Sequence, residues 1–276
     1  MGEKKESGEA VKRISRWVRS RSVRELISMG LISGIFLLFL LRLFWKNQTY
    51  LFMATQIAHS SALLLLIYKL TITKTCSGLS LKTQELTAIF ILIRMLVSFG
   101  FLRDMHVLLD SLTLGATLWV IYMIRFKLKN TYMKEHDNLP LYYVLVPCAI
   151  VSIIGHPGFN AGIILGFCFV FYITIEAVSV LPQLHLIQNA KIVEPFTAHY
   201  VFALGVARFF SFANWMNLLI DSGGSLLTQI GQGHLYIAVA LLAELVQTFI
   251  LADFCYYYVK SVIAGQNMMR LPPNVV

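Results

Sequence analysis

Residues 176–215 read EAVSVLPQLHLIQNAKIVEPFTAHYVFALGVARFFSFANW, and this stretch decides the fold. Glu176 and Arg208 sit inside apolar runs. Between them lie Leu181-Pro182-Gln183 and a short polar segment with Lys191 and Glu194. Charges at membrane depth are costly and usually functional. Proline donates no backbone N–H and biases the preceding residue toward extended geometry, so Pro182-Gln183 predicts a helix terminator. Two helices joined by a tight polar turn, each with a buried ion, are expected to form part of a ligand cavity.

The surrounding chain has 276 residues, 57% apolar and 13% charged, with a mean hydropathy of +0.70. That is the composition of an all-α polytopic membrane protein. The net charge of +9 would suggest nucleic acid in a soluble protein. Here the basic residues lie in loops and at the N-terminus, so the sign reports topology and contact with anionic membrane lipids. Cys76, Cys148, Cys168 and Cys255 show no paired metal spacing and read as small core residues.

Residues 1–26 interleave Lys12, Arg13, Arg16, Arg19, Arg21 and Arg24 with Val11, Ile14, Trp17 and Val18. Two readings stay open: a basic amphipathic segment on an anionic cytosolic leaflet, or a disordered tail obeying the positive-inside rule. Arg19-Ser20-Arg21 also has the Arg-x-Arg form of some ER-sorting signals, a match frequent by chance. Residues 27–45 form a first spanning candidate, with Arg42 positioned to snorkel. The long basic lead and the missing small-residue cleavage site favour an anchor over a signal peptide.

Further spans are expected near 50–68, 83–102, 107–125, 140–155, 160–181, 197–219 and 235–259. Lys69, Lys74, Lys82, Arg125, Lys127, Lys129, Lys134, Lys191, Lys260 and Arg270 fall in alternate loops and the C-terminal tail. Placing them in the cytosol gives eight helices with both termini cytosolic. Asn47-Gln48-Thr49 is then a luminal glycosylation sequon against the membrane, where the transferase reaches poorly.

An internal repeat appears when Arg94 is aligned with Arg208. Lys69 then falls on Gln183 and Thr83 on Thr197. Both polar turns are on one side, so the repeats are parallel and the arginines face a shared cavity. A guanidinium fork fits a carboxylate, and a structural ion pair is the competing role. Arg208 has Glu176 on the preceding helix as a partner. Arg94 has no obvious acid in its own helix or the next, which makes it the better ligand candidate. His59 is mid-helix and suited to sensing pH, or is a neutral core residue bonded to Thr55, Ser60 or Ser61. Asp253 reads as a hydrated acid about one turn from a cytosolic helix end. Asp110, His199 and Glu244 read as interface or pore-lining groups, and Tyr256-Tyr257-Tyr258 as an interfacial belt. No catalytic or cofactor motif appears, so neither an enzyme nor a cofactor is expected.

From about 50 to 262 the chain resembles the KDEL receptor family, the ER lumen protein-retaining receptors. The resemblance rests on Cys76-Ser-Gly-Leu-Ser-Leu-Lys-Thr-Gln84, Thr131-Tyr-Met-Lys-Glu-His-Asp137, Glu176-Ala-Val-Ser-Val-Leu-Pro-Gln183, His199-Tyr-Val-Phe-Ala-Leu-Gly-Val-Ala-Arg208, Asn214-Trp215, Val246-Gln-Thr248 and Asp253-Phe254. It implies a seven-helix, SWEET-like bundle of two parallel three-helix repeats. The extra helix at 27–45 makes eight, and resembles the plant-type receptor-related subgroup. Residues 1–26 and 263–276 are then cytosolic tails.

The resemblance also implies a multi-pass ER or Golgi receptor that returns luminal proteins by binding their C-terminal peptides. Arg94 matches the arginine contacting the signal's terminal carboxylate. Glu176 and Arg208 match a polar pair beside it, His59 a pH-sensing histidine, Asn214 and Trp215 cavity-side residues, and Asp253 an acid needed for recycling. Several family positions differ. Phe52 and Leu218 stand for arginines, Val97 for an aspartate, and Gly166 for the acid that accepts the signal's lysine. Phe169 replaces a tryptophan, and Ala207 and Ser211 replace tyrosines. In the tail, Gly265-Gln-Asn-Met-Met-Arg270 replaces the lysines read by the coat protein I machinery. The expectation is a receptor with altered or lost KDEL/HDEL specificity. Alternatives are a SWEET-like transporter of a small anionic or polar solute, or a non-binding regulator of orthodox receptors.

Overall fold

The computed structural model describes residues 48–101, 105–156, 162–190, 192–232, 234–263 and 269–270. The basic tail at 1–26, the candidate helix at 27–45, Asn47, Lys191 and most of the C-terminal tail lie outside the described residues.

All seven spans expected after residue 50 are helical. They are α1 Gln48–Ile72, α2 Leu81–Phe101, α3 Met105–Tyr122, α4 Tyr142–Gly155, α5 Ile163–Val178, α7 Pro195–Asp221 and α9 Leu235–Ile263. Val107–Lys127, Ile163–Ala190, Pro195–Asp221 and Leu235–Val262 are long and apolar enough to cross a membrane. Each follows from a long apolar run that can satisfy every backbone group only as a helix. Large apolar side chains such as Ile57, Leu96, Ile164 and Phe249 face outward, as they do in a protein solvated by lipid.

Two connections differ from expectation. Pro182-Gln183 does not end a helix. Helix α5 stops at Val178, and Pro182 lies in the first turn of a further helix, α6 Leu181–Ala190. The missing N–H of a proline costs nothing in a first turn, where those donors have no intrahelical partner anyway. The junction is therefore a ten-residue helix followed by Ile192–Val193 (β1), not a tight turn. Strand β1 pairs antiparallel with Met269–Arg270 (β2), which ties the C-terminal backbone to the junction. Between α7 and α9 the chain also forms a short helix, α8 Ser225–Gly231.

The contacts repeat as the sequence alignment predicts. Helix α1 packs on α7 as α5 packs on α2. Helices α1 and α3 meet as α5 and α9 do, and α2 and α3 as α7 and α9 do. Helix α4 stands outside both triplets and leans on α5 and α9. The seam shows the same relation in its side chains. Lys69 donates to Thr197 Oγ1 at 2.8 Å, while the Gln183 backbone N–H donates to Thr83 Oγ1 at 2.9 Å. Each bond is the image of the other under the offset that superposes Arg94 on Arg208.

Lys69 is consequently not a surface charge. It is 1% exposed and spends its ammonium on Ser77 O, Thr197 and Glu194. A lysine at the last turn of α1 reaches the oxygens of the 73–80 loop and the start of α7, so its burial is compensated. Gln183 plays the matching part, bonding Gly78 O and the Ser80 N–H.

The Thr131–Asp137 motif is also structural. Asp137 accepts from Ser80 Oγ, the Leu81 N–H and Tyr132 OH, and so caps α2 from a distant loop. Burial and that carboxylate push the Tyr132 hydroxyl well above the usual phenol range. The Cys76 backbone N–H donates to Thr131 Oγ1 at 3.0 Å, and burial raises the Cys76 thiol.

Candidate functional site

Arg94 lies on α2, Glu176 on α5 and Arg208 on α7, and the three meet between the repeats. Arg208 Nη1 donates to Glu176 Oε1 at 2.6 Å, the pair expected from the sequence. Arg94 Nη1 lies 3.6 Å from the same oxygen. The expectation that Arg94 lacks an acid on the next helix is overturned. Asp110, in the first half of α3, takes Arg94 Nε at 2.9 Å and Nη2 at 2.5 Å. This planar two-point pair is the geometry a guanidinium favours, and it compensates the burial of Asp110, which is 4% exposed. Asp110 stands alone among apolar residues in Val107-Leu-Leu-Asp-Ser-Leu112, and that isolation was the available signal.

A cavity of about 290 Å³ opens beside this network. Arg94, Arg208, Glu176, His59, Asn214, Trp215 and Phe169 all line it. A second, water-sized space of about 30 Å³ continues inward past His59, Arg208 and Gln247. Arg94 is 22% exposed on its side chain, so part of its guanidinium still faces the cavity. Its charge also lies 5.6 Å from the centre of the Phe90 ring. Phe169 sets its ring edge-on to Tyr172 and Tyr236. Thr55 and Ser61, offered by the sequence as partners for His59, donate their hydroxyls to Leu51 O and Ile57 O within α1.

The remaining expected site positions stand elsewhere. Val97 and Gly166 are buried and, like Leu218, do not line this cavity. The Phe52 side chain lies outside the described residues. Asp253 is half-buried on α9, away from the cavity. Because α9 runs on to Ile263, Asp253 is roughly three turns from the helix end and not one. His199 does not reach the cavity either. It meets the Pro195 carbonyl of its own helix and the Tyr258 ring.

Glu244, expected from the sequence as an interface or pore-lining group, lines the cavity on the wall formed by α7 and α9, while Ser211 and Gln247 beside it were not expected as polar lining. Glu244 Oε1 accepts from Ser211 Oγ at 3.0 Å. Glu244 is 7% exposed and Gln247 2% exposed. Glu244 Oε2, Gln247 Oε1 and Asn214 Oδ1 are buried without a hydrogen-bond partner. Among the described residues no group of histidines, cysteines or carboxylates has the makings of a metal site.

The fold and site define a helical membrane protein of two parallel repeats around a charged interior cavity. Residues 75–218 match the family described as ER lumen protein retaining receptor. The chain is 33% identical over 224 residues to the ER lumen protein-retaining receptor of Drosophila melanogaster, covering 79% of this chain and 97% of that one. It is 31% identical over 220 residues to the Caenorhabditis elegans protein named ER lumen protein-retaining receptor erd-2.2, with the same coverage. It is 29% identical over 212 residues to the Petunia hybrida ER lumen protein-retaining receptor, covering 76% of this chain and 93% of that one. The chain belongs to the ER lumen protein-retaining receptor family, a family of receptors.

Proposed function

We propose that this chain is a receptor of the ER and Golgi membranes that captures C-terminal peptides of luminal proteins for return to the ER. We further propose that its specificity differs from that for KDEL or HDEL. The observation that carries the reading is the convergence of Arg94, Arg208, Glu176, His59, Asn214, Trp215 and Phe169 on one cavity. A guanidinium has five N–H donors. Asp110 occupies Nε and one Nη2 hydrogen of Arg94, and Nη1, which faces Glu176 Oε1 at 3.6 Å and beyond hydrogen-bond distance, keeps its N–H donors for a ligand carboxylate. The cavity is at the small end of the range for ligand pockets, about 300–1,000 Å³, which suits the last residues of a chain and not a folded surface.

Specificity follows from the charges around Arg94. Val97, Gly166 and Leu218 supply no charge where the family resemblance implies an acid or an arginine. Each missing charge-assisted bond is worth about 1.5–3 kcal/mol, so a ligand that relied on those charges, basic groups on the acids and an acidic group on the arginine, loses orders of magnitude in affinity.

His59 faces Arg94 of α2, Glu176 of α5, Arg208 of α7 and, across the cavity, Glu244 of α9. Protonating it adds positive charge beside the carboxylate site, so capture is tighter at acidic than at neutral pH. Equilibrium binding of C-terminal peptide libraries to the purified protein at both pH values tests the reading. The expected result is acid-favoured binding of free-carboxylate peptides, flattened by His59→Ala and lost in Arg94→Gln/Asp110→Asn. Absence of binding at either pH, with solute flux in liposomes, would contradict it in favour of a transporter.

A further inference from the structure

The end of the bundle where α1 and α3 stop carries more positive charge than its acids neutralise. Glu194 holds the buried Lys69 at 2.7 Å, and Glu85 stands 3.8 Å from Arg125. Asp137 is taken up by Ser80, Leu81 and Tyr132. The Lys82 ammonium donates to Leu139 O at 2.7 Å. Glu135 is offset by its exposed neighbour Lys134. Lys74, Lys127 and Lys129 are left over. All three are exposed, and none forms an ion pair with another described residue.

Two hydrogen bonds bring these three lysines to one place. The Cys76 N–H donates to Thr131 Oγ1 at 3.0 Å, and Cys76 Sγ donates to Leu128 O at 3.2 Å. Leu128 lies between Lys127 and Lys129, and Lys74 is two residues before Cys76. Two residues span at most about 7 Å, so the three backbones flank a single junction. Flexible four-carbon stems let the ammonium groups gather over it.

The backbone is unusual on both sides of that junction. Lys74 has φ 51°, the left-handed region, where a residue other than glycine, asparagine, aspartate or histidine is uncommon. Met123–Lys127 winds as a π-helix, closed by the Leu128 N–H on Met123 O at 2.8 Å. Single π-turns are rare and stand frequently at functional sites.

The depth of the cluster is set by its apolar neighbours. The long apolar segment Val107–Lys127 ends here. Tyr122 and Phe126 are 46% and 69% exposed, with ring centres 5.5 Å apart, and Tyr68 and Ile72 are exposed on α1. Exposed aromatic rings at the end of a span mark the membrane–water interface. The lysines therefore stand at headgroup level, beside apolar surface that acyl chains cover. A phosphodiester headgroup brings a single negative charge. A phosphomonoester brings about −1.5 to −2 and three strong acceptor oxygens, which matches a cluster of three unpaired ammonium groups.

We propose that Lys74, Lys127 and Lys129 form a headgroup site for a membrane lipid bearing a phosphomonoester, with Tyr122 and Phe126 against its acyl chains. The exposed rings favour a lipid over an acidic protein segment, which would leave them uncovered. The site stands apart from the cavity between the repeats and does not depend on what that cavity binds.

The test titrates the purified full-length protein, in a neutral detergent, with phosphatidylinositol 4-phosphate, phosphatidylinositol or phosphatidylserine, and reads retained lipid by native mass spectrometry. The expected result is retention of one phosphatidylinositol 4-phosphate at about tenfold lower concentration than either other lipid, the scale of a charged hydrogen bond. Lys74→Asn, Lys127→Gln and Lys129→Gln each weaken it about fivefold, the worth of one cation at a lipid surface. Lys260→Gln, at the end of α9, leaves it unchanged. Asparagine accepts the left-handed backbone and the other two side chains are exposed. Without lipid the three variants therefore unfold at or above the native temperature, and lost retention reads as lost binding.

Equal retention of the three lipids, or a preference that survives the triple variant, would overturn the site. Binding of water-soluble inositol 1,4-bisphosphate as tightly as the lipid, through the same lysines, would overturn the lipid in favour of a free phosphate. Binding of a glutamate-rich peptide through these lysines, with no lipid preferred, would overturn it in favour of an acidic protein partner.

Discussion

Arg94 and Asp110 form a two-point ion pair between α2 and α3, with Nε–Oδ2 at 2.9 Å and Nη2–Oδ1 at 2.5 Å. The arginine is therefore oriented before any ligand arrives. A fixed guanidinium gives up less rotamer freedom on binding, and this favours affinity. The same pairing means that removing Asp110 leaves a partly buried cation with only the longer contact to Glu176, at 3.6 Å.

Asp110→Asn is predicted to lower unfolding stability by about 3 kcal/mol, the low end for breaking a buried pair. Arg94→Gln/Asp110→Asn is predicted to cost less than the sum of the single changes. Thermal unfolding of the four variants in one detergent measures the coupling, and strict additivity would mean that the pair does not hold α2 to α3.

The two bonds that mirror each other across the repeats give a second prediction. Thr197→Val removes one acceptor of the buried Lys69 ammonium, and Thr83→Val removes the acceptor of the Gln183 N–H. Each is expected to cost about 1–3 kcal/mol, with the larger loss at Thr197 because its donor is charged. Unfolding curves of both variants decide the order.

A third prediction concerns the seam between α7 and α9. A Cβ added at Gly205 would stand 2.3 Å from Cys255 Sγ. Gly205→Ala is expected to destabilise the protein by about 1–3 kcal/mol through overpacking. Because the obstacle is one sulfur atom, Cys255→Ala is expected to restore most of the loss in the double variant. Failure of that rescue would show that the helices cannot absorb the methyl group.

Cys76 supplies a fourth. It is fully buried, bonded to Leu128 O, and its thiol is raised by burial. It stays protonated at neutral pH, so it is expected to resist maleimide until the protein unfolds. Mass spectrometry of labelled peptides before and after denaturation checks this.

Much of this architecture could be read from the chain. The apolar runs give the seven helices after residue 50, because a membrane leaves the backbone no other arrangement. The repeat is legible because Arg94 and Arg208 occupy equivalent depths, and the paired Lys69–Thr197 and Gln183–Thr83 contacts follow from it. Pro182 was misleading because proline ends helices and begins them, and only the chain after it decides which. Lys69 reads as a loop charge until the 73–80 turn folds over it. The Arg94–Asp110 pair joins groups on either side of a connection, and the Ser211–Glu244 bond joins helices far apart in sequence. Such contacts follow from helix rotation and tilt, which composition does not specify.

The most direct test of the account is the affinity of the purified protein, at acidic pH, for one peptide in free-acid and C-terminally amidated forms. A cavity that holds a chain terminus through Arg94 predicts that amidation weakens binding by about tenfold or more, the value of a charged hydrogen bond. The difference should vanish in Arg94→Gln/Asp110→Asn. Equal affinity for the two forms in the native protein would contradict capture of the terminal carboxylate.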